Sequence, residues 1–155
     1  MLVAPFFKEI EMNCIELYMA KLQTVINDFD AIIEQAVIDT KAEVITLNQT
    51  QLLHGFGSDD KRLGTYRNPE YKKQKMTMNP LASGFGDLKL TGSFKRLFYV
   101  ELKNKSILVK SSDSKWKELQ LKYGDNIFGL NTDNKKIYGK TVNKRLNEII
   151  KQKLK

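Results

Sequence analysis

Side chains that could act as nucleophiles or general bases are scarce in this 155-residue chain. It holds one cysteine, Cys14, and one histidine, His54. A single histidine leaves no multi-histidine metal site and no pair of catalytic histidines. A lone thiol at helical spacing is usually a core residue, so we expect Cys14 to fill a helical core. We expect His54 at a helix C-terminus, where a protonated imidazole interacts favourably with the helix dipole.

The carboxylates allow two kinds of site. Asp59 and Asp60 are adjacent, but the alternating oxygen ligands and closing Glu of a calcium loop are absent, so we expect both to be solvated. Glu101, Asp113 and Asp125 could pair in a cleft, which keeps an enzyme or a small-molecule binder open as an alternative. The sequence predicts no catalytic residue, cofactor or metal ligand.

Aromatic and basic residues alternate in the middle of the chain. Gly84 and Gly86 are too few for a nucleotide-binding fingerprint. Aromatic rings interleaved with cations could stack bases and contact phosphate, or could form a surface loop with two tyrosines held in small pockets. The predicted assembly or partner surface consists of Tyr66, Arg67, Tyr71, Lys72 and Lys73, with Lys144 and Arg145 near the C-terminus.

The stretch from residue 87 to 102 organises the elements around it. A short apolar alternation breaks at a turn where Gly92 can take positive φ, and Ser93 can then cap a short helix. The predicted structural turn is Leu90, Thr91, Gly92, Ser93 and Phe94. A strand follows, and residues 103–106 join it to a second strand over 107–110 as a hairpin. The predicted sheet core is Leu90, Phe94, Phe98, Val100 and Val109, with Trp116 nearby.

The sequence of the N-terminal third predicts helical structure. Residues 6–54 lack proline and glycine, and apolar residues recur at steps of three and four. Capping residues at 27–30 predict a break between two helices, and Gly55 predicts the end of the second. The apolar stripe is longer than a small domain can cover. Either the helix pair folds back, or part of it packs on another subunit.

The remaining elements are shorter, apart from the last. Asn68 and Pro69 predict the cap and first residue of a basic helix, and residues 111–114 predict the start of another. Residues 131–134 have turn composition, so the last helix is predicted to begin at Thr141 or Asn143. The fold class is therefore α+β in a single domain, 1–155. It comprises a helical arm (1–54), a loop-rich segment (55–86), a sheet core (87–134) and a basic C-terminal amphipathic helix (135–155).

Charge is unevenly distributed along the chain. Residues 1–60 carry three bases and ten acids, residues 61–134 fifteen bases and seven acids, and residues 135–155 eight bases and one acid. This asymmetry fits a nucleic-acid binder, and it equally fits head-to-tail contacts between identical subunits. No apolar run approaches the roughly 18 residues of a membrane span, so no membrane partner is expected. The single cysteine agrees with folding in a reducing cytoplasm.

The order of short motifs resembles a known class of phage protein. A glycine-containing loop, Gly64-x-Tyr66, a Leu-Thr-Gly-Ser-Phe turn, a hairpin and a Lys-Tyr-Gly stretch follow one another across about residues 30–155. This arrangement is similar to the virion-morphogenesis and tail-completion proteins of tailed phages. It also resembles uncharacterised phage proteins of Bacteroidetes hosts, where segments like 87–94 and 123–130 recur.

The resemblance implies a non-enzymatic virion subunit, assembled in the host cytoplasm. Such a subunit forms a ring or collar at the head–tail junction (the connector or neck) or at the tail. Its expected partners are identical subunits and portal, adaptor or tail proteins, with packaged DNA as a further contact. The alternative is a basic nucleic-acid-binding protein.

Overall fold

The computed structural model describes residues 4–88, 93–103 and 106–155, with side chains from Asn13 onward except at Ser93. Within these ranges the fold is α+β, as predicted, with six α-helices and one two-stranded antiparallel sheet. The helices are α1 (Ala4–Asn27), α2 (Phe29–Leu53), α3 (Pro69–Met78), α4 (Ser93–Arg96), α5 (Trp116–Tyr123) and α6 (Thr132–Leu154). The strands are β1 (Phe98–Lys103) and β2 (Ser106–Ser111).

Two compact units make up the chain. The arm unit contains the residues up to Thr40 together with Thr141–Lys155. The sheet unit contains Lys41–Lys140. Helices α2 and α6 therefore each supply residues to both units.

The break between the first two helices lies at Asp28, inside the predicted range. Helical hydrogen bonding continues across it, because the Asp28 amide donates to the Thr24 carbonyl (3.0 Å) and the Ile32 amide donates to the Asp28 carbonyl (2.9 Å). The backbone therefore leaves regular helical geometry at one residue, while the i→i−4 hydrogen bonds continue through it.

The arm unit buries one side of α2 and the end of α1 against the last part of α6. Its buried core is Val25, Ile32, Ala36 and Ile149, with Val142, Leu146, Ile150 and Leu154 packed around it. Two ion pairs join the same elements. Lys153 Nζ lies 3.0 Å from Asp28 Oδ2, and Arg145 Nε lies 2.7 Å from Asp39 Oδ2. The cations of α6 thus neutralise part of the acidic N-terminal third.

Helix α2 ends as its glycine predicts. Gly55 has φ +75°, its amide donates to the Leu52 carbonyl (3.0 Å), and the Phe56 amide donates to the Gln51 carbonyl (3.1 Å). These two bonds form a Schellman motif, which satisfies carbonyls that the helix end leaves open. The motif redirects the chain into the loop-rich segment.

The loop-rich segment is held by Arg62. Its guanidinium lies 4.2 Å from the centre of the Phe56 ring and 5.1 Å from that of Phe85, and it donates to the His54 carbonyl at 2.7 Å. A side chain with five donors and a flat cationic face suits such a position. Isolated antiparallel bridges at Phe56↔Arg62 and Thr65↔Phe85 add backbone pairing.

The central hairpin is confirmed by the pairing of β1 with β2, from Phe98↔Ser111 to Lys103↔Ser106. Residues 104–105 lie outside the described ranges, as do Leu90, Thr91 and Gly92 of the predicted turn. Ser93 is the first residue of α4, and Phe94 is buried. Phe98 and Val109 are also buried, whereas Val100 and Trp116 are half-buried. The rings of Phe94 and Phe98 meet edge to face, 5.0 Å apart.

The predicted start of the last helix was wrong. α6 begins at Thr132, about two and a half turns before Thr141, and it includes all but the first residue of the segment interpreted as a turn. The Asn131 side chain accepts from the Asn134 amide (3.0 Å), which is a helix cap. The Asp60 carboxylate accepts from the Thr132 amide (3.1 Å) and hydroxyl. The helix start therefore depends on an acid 72 residues away in the sequence.

Candidate functional site

The most buried charges of the sheet unit form an ion pair between α3 and the start of the central stretch. Lys75 Nζ lies 2.7 Å from Asp87 Oδ1, and the two side chains are 3% and 1% exposed. Asn68 places Lys75 by capping α3, since its Oδ1 accepts from the Tyr71 amide at 3.0 Å. Pro69 occupies the first turn, as the sequence predicts.

Two further side chains complete this cluster. The Tyr66 hydroxyl donates to Asp87 Oδ1 (3.0 Å), and Asn79 Nδ2 donates to Asp87 Oδ2 (2.8 Å) and to the Leu53 carbonyl (2.8 Å). We call Tyr66, Lys75, Asn79 and Asp87 the buried polar cluster. It connects α3, the end of α2 and the central stretch.

Burial raises the pKa of Tyr66 well above its usual range. The hydrogen bond from the Asp87 backbone amide opposes this shift, whereas the negative charge of the Asp87 carboxylate adds to it. The phenol therefore remains a protonated donor at physiological pH. Both oxygens of Asp87 already accept hydrogen bonds from the cluster. This arrangement is typical of a satisfied structural network.

The sequence predicted the basic helix that begins at Pro69, but it did not predict the pair between Lys75 and Asp87. One signal was present, because Asp87 is the only acid between Glu70 and Glu101, a stretch that contains six bases. An isolated acid in a basic, glycine-rich segment is a candidate for burial with a cation.

The predicted partner surface has exposed and anchored members. Arg67 and Lys73 are exposed, whereas Lys72, Tyr66 and Tyr71 are half-buried. Tyr66 is anchored to Asp87, and its ring meets that of Tyr71 edge to face at 5.0 Å. The interpretation of two tyrosines held in pockets therefore fits their environment better than two free stacking platforms do.

Gly84 has a structural reason to be glycine. Its φ is +79°, and a Cβ there would lie 2.7 Å from Lys72 Cε and 3.1 Å from Met76 Sδ. The close approach of α3 to this loop accounts for the glycine without a bound nucleotide.

The last two residues of the predicted surface belong to the arm unit. Lys144 is exposed. Arg145 pairs with Asp39 and with Glu148, and its hydrogen bond to Asp39, aided by one from Gln35, holds the pKa of that carboxyl below its ordinary value. Arg145 is thus engaged within its own unit.

Other candidate chemical groups are separately placed. Cys14 is exposed on α1, so its prediction as a core residue was wrong. Asp59 and Asp60 are both exposed, as predicted, and Asp60 in addition caps the start of α6. Glu101 pairs with Lys110, while Asp113 accepts from the Lys115 amide. Two other carboxylates also have separate partners. Asp59 accepts a hydrogen bond from the Lys61 amide, and Asp125 accepts one from the Gln120 side chain.

A cavity of about 360 Å³ opens in the sheet unit. Its apolar wall includes Val44, Val109, Phe128 and Leu130, and Lys135 and Tyr138 supply polar atoms. Nearby in sequence, Asn48 is fully buried and donates to the Gly129 carbonyl at 2.9 Å. Its Oδ1 has no hydrogen-bond partner in the part of the chain described. The cavity can accept an apolar group, but no described constellation of catalytic side chains faces it.

Apolar side chains are exposed along one face of α1 and the start of α2. Ile15, Met19, Ile26, Phe29 and Ile33 are 37–65% exposed, and Leu22 is half-buried. We call these six residues the α1–α2 seam. Its members are spaced four and three residues apart in strict alternation. Such a face leaves a large apolar area in water, which is typical of a surface that another chain covers.

Comparison of the chain with protein-family models, curated proteins and solved structures finds no match. Across the described ranges, no helix is long and apolar enough to span a bilayer. The same ranges contain no group of three or more His, Cys, Asp or Glu side chains arranged to hold a metal ion.

Proposed function

We propose that this chain is a non-enzymatic structural subunit of a tailed-phage virion, part of a ring or collar at the head–tail junction or the tail. Its partners are identical subunits and neighbouring portal, adaptor or tail proteins. The α1–α2 seam carries the proposal, because an assembling subunit needs an apolar face that a neighbour can bury. The order of motifs resembles that of tail-completion proteins, and this resemblance is the reason for proposing a tailed-phage virion.

The seam is large enough to support association. Burying one Ile, Leu or Phe side chain contributes about 1.5–3 kcal/mol, so a few such residues offset the cost of association, about 4–15 kcal/mol. The electrostatic contribution to association between subunits is smaller than the net charge of residues 1–60 suggests. The arm unit carries seven bases and eight acids once its share of α6 is included. Assembly should therefore weaken modestly with salt and survive it.

The experiment is to measure the mass of the purified protein by light scattering across protein concentration and salt, with electron microscopy of the largest species. We expect a discrete closed oligomer. A monomer at every concentration and salt would overturn self-assembly as the basis of the proposal.

A deletion of residues 1–24 tests the role of the helical arm. Among the described side chains of the arm unit, Val25 is the first that is buried, so the shortened chain keeps the described core. We expect it to fold and to lose assembly. Retention of the parent's oligomer by the shortened chain would contradict this expectation.

A nucleic-acid-binding protein is the second candidate, favoured by the charge of the sheet unit. That unit holds nineteen bases and ten acids, a net charge of +9. Phosphate binding releases counterions, so affinity for labelled duplex DNA should fall steeply with salt. Fluorescence anisotropy over a salt series tests this, and an absence of binding at about 50 mM salt would eliminate this candidate.

A further inference from the structure

The cavity of the sheet unit has apolar walls that come from separate elements. Five apolar residues of α2, β2 and the segment before α6 form these walls: Val44, Ile107, Val109, Phe128 and Leu130. Ile107 and Val109 project from one face of β2, because side chains alternate along a strand. The volume of about 360 Å³ lies within the range of about 300–1,000 Å³ that is typical of small-molecule pockets.

Buried amide side chains of α2 hold one wall of the cavity in place. Asn48 is fully buried, and its Nδ2 donates to the carbonyl of the lining residue Gly129 at 2.9 Å. Gln51 is also buried, and its Oε1 accepts from the Asn131 amide at 2.7 Å. These bonds fix the segment before α6 against α2. Because the wall is held within the chain itself, a ligand has little backbone to order when it binds.

The polar side chains of the cavity lie near the start of α6. Lys135 and Tyr138 line the cavity from this helix, three residues apart on one face. Ser58 lines it from the loop-rich segment. Ser58 is near the helix start because Asp60, two residues later, accepts from the Thr132 amide at 3.1 Å. The cavity is therefore apolar on the side of β2 and polar on the side of α6.

The charge on the polar side is a cation. Lys135 is the one charged residue among those that line the cavity in the described part of the chain. The acids beside it have other partners. Asp133 lies 3.3 Å from Lys136, and Asp60 accepts from the amide and the hydroxyl of Thr132. A ligand with an anionic group on this side would therefore meet the complementary charge.

We propose that this cavity binds a small amphiphilic carboxylate, of the class of medium-chain fatty acids. The carboxylate lies at Lys135, and the hydrocarbon chain lies against Ile107 and Val109. Removal of the hydrocarbon from water drives binding, and the cation selects the anionic head group. This binding goes beyond the proposed function, and every lining residue belongs to the sheet unit.

Calorimetric titration of the full-length protein with octanoate tests the proposal, with 1-octanol as the uncharged comparator. We expect saturable binding of one octanoate per chain, about fivefold tighter than that of 1-octanol, because an exposed charge pair contributes modestly. Lys135→Met should remove this preference and leave the affinity for 1-octanol unchanged. Lys136→Met is the matched control, since it makes the same change of charge at an exposed neighbour that does not line the cavity.

A pair of tryptophan substitutions on β2 locates the site. Ile107→Trp places a larger side chain in the cavity wall, so it should abolish binding of octanoate and 1-octanol alike. Leu108→Trp is the matched control, because Leu108 lies on the other face of the strand and is 37% exposed. It should bind both ligands as the parent does. Circular dichroism and the melting temperature establish that each variant is folded.

Four outcomes would overturn the proposal. They are the absence of saturable octanoate binding by the parent, a preference of the parent for 1-octanol, equal effects of Lys135→Met and Lys136→Met, and parent-like binding by folded Ile107→Trp protein. If Ile107→Trp does not fold, the lysine pair decides the proposal, because Lys135 and Lys136 are both exposed.

Discussion

Replacement of Lys75 by methionine should destabilise the protein severely. The substitution removes the ammonium group and keeps a side chain of similar length. It leaves the carboxylate of Asp87, 1% exposed, with hydrogen bonds from Tyr66 and Asn79 but without its cation at 2.7 Å. Breaking a buried ion pair on one side costs about 3–5 kcal/mol, because the remaining charge stays away from water.

The assay is urea unfolding followed by circular dichroism. At a slope of about 2 kcal/mol per molar urea, the midpoint should fall by roughly 1.5–2.5 M. Lys73→Met is the matched control, since Lys73 lies on the same helix and is exposed, and its effect should stay within about 0.5 kcal/mol.

A double-mutant cycle assigns the loss to the pair. Asp87→Asn alone should also be severe, whereas Lys75→Met together with Asp87→Asn should cost less than the sum of the two, because the second change has no Lys75–Asp87 ion pair left to break. If Lys75→Met unfolds within about 1 kcal/mol of the parent with an unchanged slope, the pair does not hold α3 to the central stretch.

Three other substitutions test separate parts of the fold. Phe98→Ala should lower the free energy of unfolding by about 3–5 kcal/mol, because Phe98 is 6% exposed and packs on Phe94; an unchanged melting temperature would contradict this. Gly55→Ala should cost about 1–2 kcal/mol, since φ is +75° and its Cβ would lie 3.2 Å from that of Phe85; a stabilised variant would refute the Schellman assignment. Asp60→Ala should destabilise the start of α6 near neutral pH. Hydrogen bonds from Thr132 hold the pKa of Asp60 below its ordinary 3.8, so its contribution is present above that pH and is lost as the pH falls through the lower value. Parent and variant should therefore converge in acid, and a difference that persists there would contradict the role of the carboxylate.

Features encoded by neighbouring residues were predictable from sequence. Asn68 and Pro69 start α3, and Gly55 ends α2, because caps depend on side chains within a few positions of the helix end. The hairpin followed from the alternation around Phe98 in the same way. The α+β class followed from these elements together.

Features that depend on distant partners were not predictable. Local composition at residues 131–134 indicates a turn, but Asp60 and the Asn131 cap turn it into a helix start. The pair between Lys75 and Asp87 required α3 to be placed against the central stretch. For Cys14 the prediction of a helix was right, but the prediction of burial was wrong, because Cys14 is exposed on α1.

The two-stranded sheet carries a risk of its own. In the part of the chain that the structure describes, β1 and β2 pair with each other alone, so the outer edge of each has no strand partner there. Such edges can join the strands of other molecules and begin aggregation, and the hazard grows where many copies are held close together. Charged side chains at Glu101, Lys103 and Lys110 stand on this hairpin, with Glu101 and Lys110 paired. Lysine and glutamate on edge strands oppose sheet-to-sheet joining, so these side chains lower the risk of aggregation through the hairpin.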